Sequence, residues 1–311
     1  MPLLKEKELI AAAIESTPGT AESLSGTNGA YNAYNIESED TVEIRPRESP
    51  GAFNRRQSAV GPYSGRLRFR TDIQWDGSST LPDWAEVLFP ACGWVKSSTT
   101  FTPRSEAPGS NVKTLTLAHY MDGRRKLLSG CSGNFRIVLE AGEVGYIDWD
   151  FMGVWSSPTD TALLSPTYPT DELIRYASST TTWQSVAQCV QEVSIESGNT
   201  LYMRQCPDTA AGYKYCIITD RIPVINMNPE AELIATDDKY GDLVAATQGA
   251  LSISLDGPST STLAFSAPAA ELQTVSEGER EGVTTDNVTF SCNRNGANND
   301  QELSIVFTAS A

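Results

Sequence analysis

The sequence predicts a mainly antiparallel β protein built from two tandem β-sandwich or barrel modules, each with a short flanking helix. Three observations support this fold class: short runs rich in β-branched and aromatic residues, strict alternation over residues 66–75, and a ten-residue segment that occurs twice in altered form. Alternation of apolar and polar residues is typical of a strand with one buried face. A repeated segment indicates that one structural unit is used more than once.

The repeated segment occupies residues 36–45 and returns at residues 195–204. After each copy the chain offers an extended stretch, a short helix candidate, and a Gly-Glu segment that leads into a further strand. The full length of 311 residues exceeds the usual size of one domain, about 100 to 200 residues. We therefore predict a first module at residues 1–180, with an N-terminal arm and long loops, and a second module at residues 181–311.

Three short helices are predicted. Residues 5–14 carry an apolar stripe at helical spacing, residues 82–89 place a proline in the first turn beside an acidic residue, and residues 242–247 form a third candidate. Residues 16–32 are rich in Ser, Thr and Gly and are predicted to be an extended arm or loop. These helices are expected to cover a sheet.

Strands account for most of the remaining chain, because short β-branched and aromatic runs are bounded by Gly, Pro, Asn or Asp. Two long polar stretches, residues 95–111 and 156–182, are predicted to be irregular, either as surface loops or as arms ordered by neighbouring subunits. The predicted strands are residues 41–45, 66–75, 114–119, 135–140, 146–154, 190–204, 213–219, 221–228, 250–255, 262–265, 288–292 and 303–307.

The strand at residues 66–75 has one strongly polar face. Leu67, Phe69 and Ile73 fall on one side, whereas Arg66 and Arg68 fall on the other with Arg70, Asp72 and Gln74. An arginine-bearing face is too polar for a core. We expect it to be solvated or set against the carboxylates of a partner.

The charge balance narrows the functional classes. The sequence has 39 acidic and 23 basic residues, which gives a net charge of −16. Tight DNA binding is not expected, because proteins grip nucleic acid by neutralising phosphates with Lys and Arg. Solubility is the ordinary explanation of such a charge, and a surface that repels a passing polyanion is the other.

Location is predicted from the apolar and cysteine patterns. Residues 1–8 mix lysines with glutamates and lead into no signal-peptide core, and no apolar run approaches the ~20 residues that a membrane helix needs. We expect no membrane association and folding in a reducing cytoplasm. Free and mostly buried thiols are expected because no C-x-x-C pair occurs among Cys92, Cys131, Cys189, Cys206, Cys216 and Cys292.

No residue pattern indicates nucleophilic catalysis. The single histidine, His119, lies in a strand-like run without a recognised Ser or Cys nucleophile motif, so it is predicted to be structural. Asp237 and Asp238 lack the spacing of a complete calcium loop. We predict that the protein is not an enzyme, with no catalytic, cofactor-binding or metal residues and no cofactor.

Carboxylate pairs leave one enzymatic alternative open. Glu140 and Glu143, or Asp148 and Asp150, could supply the two acids that a glycosidase needs across a sugar bond. Asp148 and Asp150 alternate around Trp149, so both are expected on one solvated sheet face. A carbohydrate-binding or glycoside-hydrolysing surface protein is therefore the alternative function.

The order of motifs resembles the major tail tube proteins of long, non-contractile-tailed (siphovirus-like) bacteriophages. The resemblance covers nearly the whole chain and is a matter of pattern. It is carried by residues 9–20, 32–36, 66–75, 82–93, 113–117, 121–126 and 128–133.

This resemblance implies a structural virion protein whose β modules join into rings around a channel, with rings stacked into a tail tube. Members of the family are understood to supply one module per subunit to a sixfold ring, whereas this chain carries two. We therefore expect a trimeric ring with pseudo-sixfold symmetry, with a hexamer as the alternative.

The resemblance also implies partners and a location. Double-stranded DNA would pass through the channel without specific binding, after the tape-measure protein, and the tube would meet tail terminator and tail tip proteins. The protein would be made and assembled in the host cytoplasm and reside in the virion tail. An acidic lumen would repel phosphates and keep friction low.

Overall fold

The computed structural model describes residues 3–26, 32–51 and 53–310. Strands make up 58% and helices 6% of the structure, so the prediction of a mainly β fold is confirmed. The helices in this part of the chain are α1 (Asp83–Ala91), α2 (Lys239–Ala245) and a single 3-10 turn at Pro258–Thr260.

The strands are β1 (Glu8–Ile14), β2 (Ala33–Glu48), β3 (Arg55–Asp72), β4 (Trp94–Ser97), β5 (Thr100–Pro103), β6 (Leu115–Met121), β7 (Arg124–Glu140), β8 (Tyr146–Asp160), β9 (Thr180–Trp183), β10 (Val186–Ala187), β11 (Val190–Glu196), β12 (Asn199–Gln205), β13 (Tyr213–Arg221), β14 (Val224–Pro229), β15 (Gln248–Asp256), β16 (Thr262–Arg280), β17 (Val283–Cys292) and β18 (Ser304–Thr308). Sixteen of them join one sheet network, while β12 and β13 form a separate two-stranded sheet. The main path of the network follows the order β10-β9-β15-β16-β17-β14-β11-β7-β8-β3-β2.

The same pairing order occurs twice along this path. In the first half β2 pairs with β3, β3 with β8, and β8 with β7. In the second half β11 pairs with β14, β14 with β17, and β17 with β16. Because β7 also pairs with β11, these strands form one continuous eight-stranded array. The division into modules at residues 180 and 181 stays a prediction.

Further elements recur at matching places. Strand β6 pairs with the first part of β7, as β15 pairs with the first part of β16. Helix α1 precedes β6 in the chain, and α2 precedes β15. Strand β1 pairs with β6, as β9 pairs with β15.

One face of the array is buried in a hydrophobic core that both halves share. A register row crosses seven strands with side chains at most 2% exposed. Phe89 of α1 reaches this core, with ring centroids 5.1 Å from Phe135 and 5.3 Å from Trp149. The row consists of Thr71, Ile147, Ile137, Ile195, Ile225, Phe290 and Leu272.

Helix α1 has the sequence features that predicted it. Pro82 immediately precedes the helix, and Asp83 stands in its first turn, where a carboxylate interacts favourably with the helix dipole. Gly93 follows the helix with φ +80°, a backbone conformation that glycine adopts without strain. The prediction of a helix at residues 82–89 is confirmed, and the helix at residues 242–247 begins earlier, at Lys239.

The predicted helix at residues 5–14 is wrong. This segment contains strand β1, in which the consecutive residues Leu9 to Ala12 are all buried. A short continuous apolar run fits a strand buried on both faces as well as it fits a helix, so periodicity does not separate them. Antiparallel pairing with β6, from Glu8 opposite Met121 to Ile14 opposite Leu115, decides the outcome.

Several predicted boundaries also differ. Residues 95–111, expected to be irregular, contribute to the hairpin of β4 and β5, and Phe101 of β5 pairs with Ile305 of β18. The strand predicted at residues 190–204 is split by Gly198 into β11 and β12. Of the predicted arm at residues 16–32, residues 27–31 lie outside the described residues, and residues 16–26 are irregular.

Candidate assembly surface

The face of the array opposite the core is polar, and we call it the polar face. Side chains alternate along a strand, so the register row next to the buried row points away from the core. The polar row crosses all eight strands of the array, one more than the buried row. Its members are Tyr34, Arg70, Asp148, Arg136, Glu196, Val224, Ser291 and Glu271.

The arginines of β3 on this face are paired with carboxylates of the same chain. Arg70 binds Asp148 in two places, with Nε 2.7 Å from Oδ1 and Nη2 3.0 Å from Oδ2. Arg66 binds Asp150 in the same bidentate manner, with Nε 2.6 Å from Oδ1. Hydrogen bonds to these carboxylates raise the pKa of both arginines above the ordinary value. Carboxylates of a partner, which the sequence analysis gave as one possibility, are therefore not required to neutralise these arginines.

The ion pairs extend to both neighbouring strands. Arg68 lies 3.6 Å from Asp150 and 3.7 Å from Glu37 of β2. Across the junction between the two halves, Arg136 of β7 lies 3.4 Å from Glu196 of β11. Because these groups are partly exposed, each pair contributes little to stability, about 0 to 1 kcal/mol. Their main effect is to neutralise the arginines locally.

The predicted carboxylate pairs have different surroundings. Asp148 and Asp150 share one face, as expected, but both are engaged by arginine. Glu140 ends β7, and Glu143 lies in the following turn, where its N–H donates to the Glu140 carbonyl at 2.9 Å. A glycosidase acid must be free to give or take a proton. The two aspartates serve here as partners of arginine.

The eight-stranded array has an open edge at each of its two ends in the described part of the chain. Strand β2 pairs with β3 on one side, and its other side has no strand partner there. Strand β16 pairs with β15 only as far as Glu271, so the segment from Leu272 to Arg280 pairs on one side only, with β17. Open edges present unpaired N–H and C=O groups and favour pairing with another chain.

The β2–β3 hairpin projects beyond the array. Its outer part consists of residues 40–61, of which Ala52 lies outside the described residues. Most of the other side chains of this part are exposed, on both strands. Ile44 and Val60, which oppose each other across the hairpin, are 56% and 66% exposed. We call this segment the outer hairpin.

His119 and the cysteines have structural surroundings. His119 on β6 is buried, and its Nε2 lies 2.9 Å from Oε2 of Glu8 on β1. Burial lowers the pKa of His119. All six cysteines are free thiols; four are buried, whereas Cys189 is exposed and Cys206 is partly exposed.

The described residues contain neither a metal-binding cluster nor a membrane-spanning helix. No group of three or more His, Cys, Asp or Glu side chains is placed to hold a metal ion. Across the same residues, no helix has the length and apolar character required to span a membrane.

Comparison with protein families and with curated proteins gave no match. A scan against models of protein families found no match to this sequence. No curated protein matched it either.

Sequence reasoning missed most of the polar face beyond β3 and β8. Glu37 and Glu196 lie in the two copies of the repeated segment and Arg136 in a predicted strand, but the sequence did not indicate that they form ion pairs on one face. Which of two alternating faces meets which strand depends on register, and the sequence does not specify register over long distances. The alternation itself was the available signal.

Proposed function

We propose that this protein is the major subunit of a phage tail tube, a structural virion protein that forms stacked rings around a channel for double-stranded DNA. The observation that carries the proposal is the array. It has a core face, a polar face, and open edges at its two ends, on β2 and β16 of the described chain. The order of motifs described above, which resembles tail tube proteins, supports the same function.

The strand directions are compatible with joining chains head to tail, as a ring requires. Within the chain, β7 of the first half pairs antiparallel with β11 of the second half. The open part of β16 corresponds in pairing order to the part of β7 that binds β11, and β2 corresponds to β11. Pairing β16 of one chain with β2 of the next would repeat the internal junction between chains.

Three chains would close a barrel large enough for DNA. Eight strands in each of three chains give about 24 strands, and strands lie about 4.8 Å apart. With a tilt of about 40°, such a barrel is roughly 48 Å across its backbone. Barrels with 16–18 strands already leave an aqueous channel. The lumen would therefore admit a DNA duplex and, before it, a tape-measure protein.

The polar face would line this channel. Its arginines are held by Asp148, Asp150, Glu37 and Glu196, so they offer few free charges to phosphates. Acids that form no ion pair within the described residues, such as Glu192, would add repulsion. DNA would pass without being gripped, and tail terminator and tail tip proteins would bind the two ends of the tube in the virion.

Electron microscopy of the purified protein at rising concentration tests this function. Rings with an open centre, stacking into tubes, are the expected result. Particles that stay monomeric at every concentration and bind oligosaccharides would contradict it and would favour the carbohydrate alternative. Static light scattering on the same samples separates assembly from aggregation on the grid.

A further inference from the structure

The β12–β13 hairpin docks on the first half of its own chain. It leaves the array at Gly198 and packs against β7 and β8. The Ser132 hydroxyl donates to the carbonyl of Cys216 at 3.0 Å, and the N–H of Tyr63 donates to the carbonyl of Ala211 at 3.2 Å. Docking buries Cys216 completely.

This hairpin also reaches the end of helix α1. The side-chain amide of Asn199, at the start of β12, donates to the carbonyl of Cys92 at 2.8 Å. Cys92 is the residue that caps α1. The internal contact therefore joins one hairpin to a helix end and to the adjoining strand β7.

The outer hairpin is the counterpart of β12–β13 in the pairing order. Residues 40–61 extend the β2–β3 pair, as residues 199–221 extend the β11–β14 pair, and the two segments are similar in length. The side chains of β12–β13 are covered by the rest of the chain far more than those of the outer hairpin. A two-stranded hairpin on its own is marginally stable in water, so the exposed Ile44 and Val60 need a covering surface.

The counterpart of the α1 contact lies at the end of α2. Val244, in the last turn of α2, is 89% exposed, and Ala245 and Ala246 beside it are exposed as well. This helix packs against β16, the strand that corresponds to β7. In the described chain this end of α2 has no hairpin across it.

Charge complementarity points to a second copy of this chain. The outer hairpin holds four arginines against three acids, whereas the whole chain has a net charge of −16. Asp40 is bound by Lys126 at 2.6 Å and Glu43 by Arg45 at 2.8 Å, which leaves three arginines against one acid. A segment with this balance is attracted to such a partner, and the attraction is screened by salt. The arginines are Arg45, Arg47, Arg55 and Arg56, and the acids are Asp40, Glu43 and Glu48.

We propose that the outer hairpin docks on a second copy of this chain, across the end of α2 and the adjoining β16, as β12–β13 docks on α1 and β7 within the chain. The proposal rests on the proposed function, because the ring places β2 of one chain beside β16 of the next. It adds a second contact to the same head-to-tail interface. Each chain would give one hairpin and receive another.

Complementation between two variants tests this contact. One variant, Ile44→Arg with Val60→Arg, alters the hairpin, and the other, Val244→Arg, places a positive charge opposite the arginines of the hairpin. Each alone is expected to lower the fraction of assembled rings by more than about tenfold. Mixed together they are expected to form one-to-one pairs, because one intact interface remains between them in a head-to-tail arrangement. Leu4→Arg, at an exposed leucine elsewhere in the chain, is the matched control.

The outcomes separate the contact from the proposed function. Mass photometry reports the particle size, and circular dichroism verifies that each variant folds. If all variants form rings as the parent protein does, or form rings that fail only to stack, the docking contact is overturned and the tube function stands. If the parent forms only open head-to-tail chains that both variants abolish, the contact stands and the closed ring is wrong. A strictly monomeric parent overturns both.

Discussion

The buried carboxylate of Glu15 holds the end of the N-terminal strand in place. Glu15, which follows β1, accepts four hydrogen bonds, from the N–H groups of Gly19 and Gly130 and from the hydroxyls of Thr114 and Thr116. A buried carboxylate needs such partners, because an unsatisfied charge in a core is strongly unfavourable. The sequence showed an acid after an apolar run, but four donors from distant segments converge only in the fold.

His119 predicts how stability depends on pH. Its pKa in the folded protein is lowered, mainly by burial, so the unfolded chain binds the proton more readily. The stabilising contribution of neutral His119 is complete above the unfolded pKa of about 6.5 and is lost as the pH falls toward the folded pKa. The free energy of unfolding should therefore decrease as the pH falls below about 6.5.

Chemical denaturation across this pH range tests the prediction, with His119→Gln as the comparison. Carboxylates that do not contact His119 contribute equally in both proteins, so the difference between the two free energies of unfolding reports His119 together with its partner Glu8. This difference should shift in favour of the variant as the pH falls. A difference that is independent of pH would show that His119 does not titrate on unfolding in this range.

At the scale of the element, one glycine makes the second half fold differently from the first half. The matching segments place Glu39 in the first copy and Gly198 in the second. Strand β2 continues through Glu39, whereas Gly198 adopts φ +62° and ends β11, which redirects the chain into β12. The repeat was visible in the sequence. The different path after Gly198 was not, because it depends on how closely the turn approaches Ile222.

Replacing Gly198 with alanine should be strongly destabilising. An added Cβ would lie 1.9 Å from the carbonyl oxygen of Ile222, so the backbone must move. We expect a loss of about 2 kcal/mol or more in the free energy of unfolding. Gly142→Ala is the matched control, since Gly142 has φ +86° with nothing within 4 Å, and it should cost about 1 kcal/mol. Equal losses in urea denaturation would contradict the steric argument.

At the scale of the whole molecule, composition predicted the charge but not its arrangement. The fold class followed from alternation and turn residues. The strand predicted at residues 66–75 lies within β3, which begins earlier, at Arg55, and ends earlier, at Asp72. The net charge of −16 suggested a lumen that repels DNA. The structure adds that Arg66 and Arg70 on the polar face are each bound to an aspartate. Register between distant strands created those pairs.

Two features could keep the polar face from binding DNA: the ion pairs between arginine and aspartate, and the net negative charge of the chain. They predict different DNA binding by variants. Asp148→Asn with Asp150→Asn should free Arg66 and Arg70, whereas Arg68 keeps Glu37 as a partner. The freed arginines should create DNA binding that weakens about 12-fold between 50 and 200 mM salt, for roughly two phosphate contacts. Fluorescence anisotropy of a short labelled duplex measures this binding. Glu140→Gln with Glu192→Gln removes the same charge, and neither acid has an ion-pair partner among the described residues.

The control pair decides between the two explanations. If only the Asp148 and Asp150 variant binds DNA, local pairing keeps the face from gripping the duplex. Adding Arg70→Gln to that variant should then weaken binding again. Equal gains in both variants would show that net charge alone decides, and no gain in either would refute the role of the arginine pairs.

The symmetry and mass of one assembled ring test the central claim most directly. Class averages from electron microscopy give the rotational symmetry, and mass photometry of the same rings gives the number of chains. The account predicts three chains in a ring whose outline is nearly sixfold, because each chain brings two sets of four strands to the barrel. A closed ring of six chains would contradict it, since the recurring strand order would then not supply two places in the ring.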